Sequence, residues 1–84
     1  MSYKAKFSRT FLKKWDKLPR ETKERVRESI KAILLNPYLG TPLLGPLKGL
    51  WRLRVGKYRI IYEIVEKEKT INFYDVDLRK RIYR

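Results

Sequence analysis

Between Trp51 and Tyr62 the chain alternates apolar and charged side chains on either side of Gly56-Lys57, and no other segment restricts the fold so sharply. Trp51, Leu53 and Val55 alternate with Arg52 and Arg54 before that pair. Tyr58, Ile60, Tyr62 and Ile64 alternate with Arg59, Ile61, Glu63 and Val65 after it. A period of two is the mark of a half-buried strand. Glycine at the first central position suits a two-residue type II′ turn, whose twist matches that of the strands it joins. Counting outward from the turn predicts Val55 opposite Tyr58, Arg54 opposite Arg59, Leu53 opposite Ile60 and Arg52 opposite Ile61.

The rest of the chain supplies what such a hairpin packs against. Tyr3, Ala5 and Phe7 alternate with Lys4 and Lys6, which predicts a short N-terminal strand. Ser8 is a candidate N-cap for a helix whose Phe11, Trp15 and Leu18 fall at i, i+4 and i+7, with Leu12 on the flank and an exposed side rich in lysine. Pro19 stops that helix and suits the first turn of the next. Val26, Ile30, Ile33 and Leu34 form the inward stripe of the second helix, which Asn36-Pro37 ends. Tyr38 to Gly49 reads as a loop whose Leu43, Leu44 and Leu47 tuck against the core. Glu66 to Lys69 is a polar turn, and Thr70 to Val76 a further strand. The order strand–helix–helix–strand–strand–strand predicts a small α+β domain over residues 1–84. An N-terminal strand and a three-stranded antiparallel meander form one mainly antiparallel sheet, with a two-helix antiparallel hairpin on one face. Trp15, Trp51, Tyr58 and Tyr62 belong to the apolar stripes and are assigned to the core; Tyr74 is left open.

The predicted register puts Arg54 directly across from Arg59, with Arg52 two residues along the same strand. Like charges across an antiparallel pair destabilise it, by up to about 1 kcal/mol on the scale of cross-strand terms. Simple solvation of an exposed sheet face, with Glu63 compensating, is the plain reading. Self-repulsion within a chain of 22 Lys and Arg against 9 Asp and Glu, net +13, argues instead for an anion-binding surface. A guanidinium fork matches phosphate oxygens, so the three arginines are candidates to hold a phosphodiester. Arg79, Lys80 and Arg81 beside Tyr83 extend the basic character into the tail, where an aromatic ring among cations can stack on a base. Lys57 in the turn, Lys80 and Arg81 are candidate contacts to nucleic-acid phosphates.

High net charge also accompanies disorder, but 43% hydrophobic and 13% aromatic residues suffice for a core. There is no Cys and no His, which removes disulfides, thiolate nucleophiles and paired-imidazole nuclease chemistry. Asp75 and Asp77 stand two apart with no third ligand evident, so neither a metal site nor a cofactor is assigned. The longest uncharged apolar run is Ala32 to Leu35, too short for a membrane span, so the expectation is a soluble, cytoplasmic protein. Absence of Gln with abundant Lys and Glu leans weakly toward a hot-living source.

Four segments together resemble the RelE/ParE superfamily of bacterial and archaeal toxins, over nearly the whole chain. Tyr3-Lys4-Ala5-Lys6-Phe7-Ser8, followed by Phe11 and the Leu18-Pro19 break, is similar to the family opening. Leu47-Lys48-Gly49 leading into Trp51-Arg52-Leu53-Arg54-Val55 resembles the family's L-x-G and (Y/W)-(R/K)-x-(R/K) segment. Gly56-Lys57-Tyr58-Arg59-Ile60-Ile61-Tyr62 matches G-x-(Y/W)-R-(I/L)-x-Y, and Asp77-Leu78-Arg79-Lys80-Arg81-Ile82-Tyr83 resembles a closing H-R-x-x-x-Y motif. The RelE-like branch is the nearer one. The resemblance implies the RelE-like microbial ribonuclease fold and the toxin of a type II toxin–antitoxin system. It implies metal-independent messenger-RNA cleavage, typically in the ribosomal A site, and inhibition of translation.

Carried over by position, the catalytic residues are Arg52, Arg54, Arg59, Arg79 and Tyr83. The partners implied are messenger RNA, ribosomal RNA and a cognate RelB-like acidic antitoxin, with a toxin–antitoxin heterotetramer as one assembly. The chain departs from the family where it has Arg at positions 52 and 54, often Lys, and Leu78 where His is frequent. Arginine does not give up its proton, so proton transfer at those two positions is not expected. The alternative on the same scaffold is a ParE-like toxin that inhibits DNA gyrase by binding, without ribonuclease activity. A plain nucleic-acid-binding module is a third.

Overall fold

The computed structural model describes residues 2–78. Strand β1 (Lys4–Phe7) leads into helix α1 (Arg9–Asp16) and helix α2 (Arg20–Leu35). After α2 come a two-residue strand β2 (Thr41–Pro42), then β3 (Leu50–Val55), β4 (Tyr58–Val65) and β5 (Thr70–Leu78). The sheet order is β1-β5-β4-β3-β2, with β1 parallel to β5 and every other pair antiparallel. The predicted α+β domain, with two helices and a mostly antiparallel sheet, is the one observed. Arg79, Lys80, Arg81 and Tyr83 lie outside the described residues.

Ser8 caps α1 as expected: its hydroxyl accepts from the Phe11 amide at 2.9 Å. The same hydroxyl donates to the Tyr74 carbonyl at 2.7 Å, fastening the start of the helix to β5. Pro19 is the N-cap of α2 rather than its first helical residue, a shift of one position within the usual uncertainty of helix ends. Asn36 ends α2, and its side chain accepts from the Tyr38 amide at the start of a 3₁₀ turn, Pro37–Leu39.

The helices cover one sheet face. Phe11, Val26 and Ile33 meet Ile60, Tyr62, Ile71, Phe73 and Val76, all essentially inaccessible to water. Burying an aliphatic or aromatic side chain of this size stabilises by roughly 1.5–3 kcal/mol. Phe7 stacks on Phe73 with centroids 5.2 Å apart, joining β1 to the same core. Trp15, Leu18 and Trp51 are half-buried against it.

The segment after α2 departs from its reading as a plain loop. It contains β2, a fifth strand paired to Trp51 and Arg52, and a second 3₁₀ turn, Gly45–Leu47. Leu43 is buried and Leu47 half-buried, as expected, but Leu44 is 84% exposed. Leu43 is bonded through its amide to the Leu50 carbonyl, so an extended chain there turns the next side chain the other way. Gly40 is needed for close approach: a Cβ there would overlap the Arg52 carbonyl oxygen and lie 2.6 Å from the Tyr62 hydroxyl. That hydroxyl donates to the Pro37 carbonyl at 2.7 Å and accepts from the Gly40 amide at 3.1 Å, which pins the loop to the core.

Candidate functional site

The hairpin turns at Gly56-Lys57, with Gly56 at φ +61° and Lys57 outside the positive-φ region, as a type II′ turn requires. The register is the one predicted, including Arg54 opposite Arg59 and Arg52 opposite Ile61. On the other side of β4, Arg59 is opposite Asp77 and Ile61 is opposite Asp75. Residues directly opposite one another share a face. The face away from the helices therefore carries two rows across three strands: Arg54–Arg59–Asp77 and Arg52–Ile61–Asp75.

Exposure differs within the rows. Arg54 is exposed and Arg52 half-exposed, but Arg59, expected to project with them onto a common surface away from the core, is only 7% exposed. Arg59 sits on the middle strand of the sheet, flanked in its row by a side chain on each neighbouring strand. Burial of a guanidinium is tolerable where opposite charge or acceptors lie close, and Asp77 is the carboxylate directly across. Lys57 is exposed at the tip of the hairpin. Tyr58 is half-buried, less than the core placement expected of it, because it adjoins that turn.

The carboxylates that the register brings onto this face are Asp77, across from Arg59, and Asp75, across from Ile61, not Glu63. Glu63 is engaged elsewhere: its carboxylate accepts from Asn72 at 3.0 Å and from Tyr74 at 2.7 Å. Those bonds hold its pKa below the usual range against the opposing effect of burial, and raise that of Tyr74. Asp75 and Asp77 are bridged by the Lys14 ammonium of α1, at 2.8 and 2.9 Å. Partial burial works to lower the Lys14 pKa, but hydrogen bonding and charge from the two aspartates together outweigh it, and the net direction is upward.

Sequence reasoning did not connect Lys14 or the two aspartates with the arginine face. β4 and β5 slip register between Ile61 and Tyr62, the mark of a β-bulge, and the extra residue is Tyr74. Without it Asp75 would fall opposite Ile60, on the core face, and Val76 opposite Arg59. The spacing of Phe73 and Val76, both buried yet three apart, was the available signal. A cavity of about 320 Å³ adjoins the rows, with Ser8, Leu50, Ile61, Tyr74 and Asp75 in its wall. At the other end, α2 brings Arg25 to the hairpin tip, where a Cβ on Gly56 would lie 3.1 Å from its guanidinium. Among the described residues no group of three or more acidic side chains could hold a metal ion.

Comparison with known proteins places this chain in a family. The model of the ParE toxin of the type II toxin–antitoxin system parDE matches residues 5–83. The chain belongs to that family. It is a type II toxin of the RelE/ParE superfamily, and its relatives span both halves of that name. A protein of Escherichia coli described as a RelE-like toxin is 26% identical over 83 residues, covering 96% of this chain and 87% of that one. A chain of the toxin–antitoxin complex RelBE2 from Mycobacterium tuberculosis is 30% identical with a TM-score of 0.86, covering 94% of this chain and all of that one. A chain of the archaeal RelE–RelB complex from Pyrococcus horikoshii OT3 is 27% identical with a TM-score of 0.78, over 96% of this chain and 99% of that one. No helix of this ParE-family toxin is long and apolar enough to cross a membrane among the described residues.

Proposed function

We propose that this toxin is a metal-independent endoribonuclease that cuts messenger RNA in the ribosomal A site, in the cytoplasm, as a single domain over residues 1–84. The observation that carries the reading is the pairing of Arg54 with Arg59, one register step from Arg52, on the face opposite the helices. Guanidinium groups gathered there suit an anion whose charge grows during reaction, the kind of stabilisation that dominates such sites. The 2′-hydroxyl attacks its own phosphate; a bond from the 2′ oxygen to phosphorus forms as the bond to the 5′ oxygen breaks. Arg52, Arg54, Arg59 and Arg79 stabilise the phosphoryl oxygens. Tyr83 takes the 2′-hydroxyl proton, and water protonates the departing 5′ oxygen. The Tyr83 phenol, ordinarily at a pKa of about 10, must titrate lower, which the cations near it in the sequence, Arg81 and Arg84, favour. Lys57, Lys80 and Arg81 contact neighbouring phosphates. A cognate acidic RelB-like antitoxin neutralises the toxin. The relatives solved as RelE–RelB complexes and the net charge of +13 support that partner.

Tyr83→Phe is expected to leave RNA affinity in place while slowing cleavage by about 10²–10⁴, the usual range for acid–base groups. Single-turnover cleavage of a translated message by purified toxin and ribosomes checks this; undiminished cleavage removes the tyrosine from the mechanism. The family description naming ParE favours a second reading, gyrase inhibition by binding. Mapping RNA ends after induced expression decides: discrete breaks in translated messages support the ribonuclease, and DNA damage with intact messages supports gyrase.

A further inference from the structure

Lys14 belongs to no motif that the family resemblance singled out, yet it ends both rows of the arginine face. The rows read Arg54–Arg59–Asp77 and Arg52–Ile61–Asp75, and the Lys14 ammonium bonds Asp77 at 2.9 Å and Asp75 at 2.8 Å. Both carboxylates are partly buried, with the Asp75 and Asp77 side chains 28% and 15% exposed, so water screens them less than it would surface groups. Two aspartates on a face meant to receive phosphate are a liability. Asp77, directly across from Arg59, competes with an incoming anion for that guanidinium, and Asp75 adds negative charge in the neighbouring row. A cation on α1 that engages both of them draws their charge toward that helix and keeps the face receptive.

We propose that Lys14 is a positioning residue for anion binding: by bridging Asp75 and Asp77 it withholds their charge from the Arg52–Arg54–Arg59 surface. The inference rests on the nucleic-acid reading of that surface but not on cleavage. Lys14 does not touch the RNA in this scheme. Its effect passes through the two aspartates, so it disappears when they do.

The test is a mutant cycle on the full chain, read by affinity for a short 2′-O-methyl RNA, which presents phosphates and cannot be cut. Lys14→Met is expected to weaken binding about tenfold and to flatten the salt dependence by roughly 0.7 in log–log slope for every phosphate the protein no longer engages. In the Asp75→Asn/Asp77→Asn background the same change is expected to cost less than about twofold. Lys14→Arg, which keeps a cation able to reach both carboxylates, should hold wild-type affinity and slope. Lys14→Gln should lose affinity in the same direction as Lys14→Met and serves if that variant does not fold. Equal losses with and without the aspartates would mean that Lys14 contacts RNA itself, and would overturn the proposal. So would an unchanged salt slope accompanied only by a lower melting temperature, the result a purely structural tie predicts. A toxin that binds this RNA yet cleaves no message defeats the ribonuclease reading alone; one that does not bind it defeats this one.

Discussion

Tyr62 shows how much a single side chain carries in a core this small. Its ring is fully buried, stacked on Trp51 at 6.4 Å and tilted against Phe73 at 6.0 Å, while its hydroxyl spans the Pro37 carbonyl and the Gly40 amide. Burial pushes its pKa up, against the opposing effect of the Gly40 amide bond. Tyr62→Phe keeps the ring and removes both bonds, leaving a carbonyl and an amide without their partner; the expected cost is about 1–3 kcal/mol. Urea unfolding checks it, and a loss under about 0.5 kcal/mol would mean that water enters to replace the hydroxyl. The alternation around Gly56 made the core side of Tyr62 legible from sequence. Its hydroxyl partners were not, because they come from a loop 22 and 25 residues upstream.

At the scale of elements, side-chain clasps fix loops and strand ends. Glu66 in the turn before β5 accepts from Tyr3, Tyr38 and Lys69, so the turn joins the N-terminal strand and the 3₁₀ turn after α2. The bonds from Tyr38, Tyr3 and Lys69 lower the Glu66 pKa, as Asn72 and Tyr74 lower that of Glu63. Carboxylates held below their unfolded value contribute stability that is complete above about pH 4.3 and is lost as pH falls through the folded values. The phenols run the other way. Tyr38 is pushed up to about 12, chiefly by its bond to Glu66, and Tyr74 is raised by Glu63. Their contribution is present below about pH 10 and is lost as pH rises through the raised values. Unfolding free energy measured across pH should therefore be level between these limits and fall at both ends. Glu63→Gln with Glu66→Gln should flatten the acid side; an acid limb of unchanged steepness would place the titrating groups elsewhere.

For the whole molecule, charge sets the behaviour in solution. A net charge of +13 on 84 residues draws any polyanion, so affinity alone does not identify the substrate. Engagement of about three to five phosphates predicts a log–log salt slope of about −2 to −3.5 for single-stranded RNA. Titrations at several salt concentrations measure it. A slope near zero would mean that the arginine face takes no backbone phosphate. The sheet divides the molecule: the main apolar core and the helices packed on it lie on one face, while Arg52, Arg54, Arg59, Asp75 and Asp77 share the other with the buried Ile61.

By itself the sequence determined the hairpin, its turn, its register and the shared face of Arg52, Arg54 and Arg59, because strand period and turn geometry are steric properties of neighbouring residues. The motifs of those same segments placed the chain in its superfamily. Only the tertiary structure decided that β1 lies parallel to β5, that a bulge at Tyr74 swings Asp75 and Asp77 onto the arginine face, and that Arg59 is buried there. It also decided that Lys14 meets those aspartates from 61 and 63 residues away. Contacts of that range depend on how whole elements dock, and a one-residue slip in a strand reverses which face each side chain occupies.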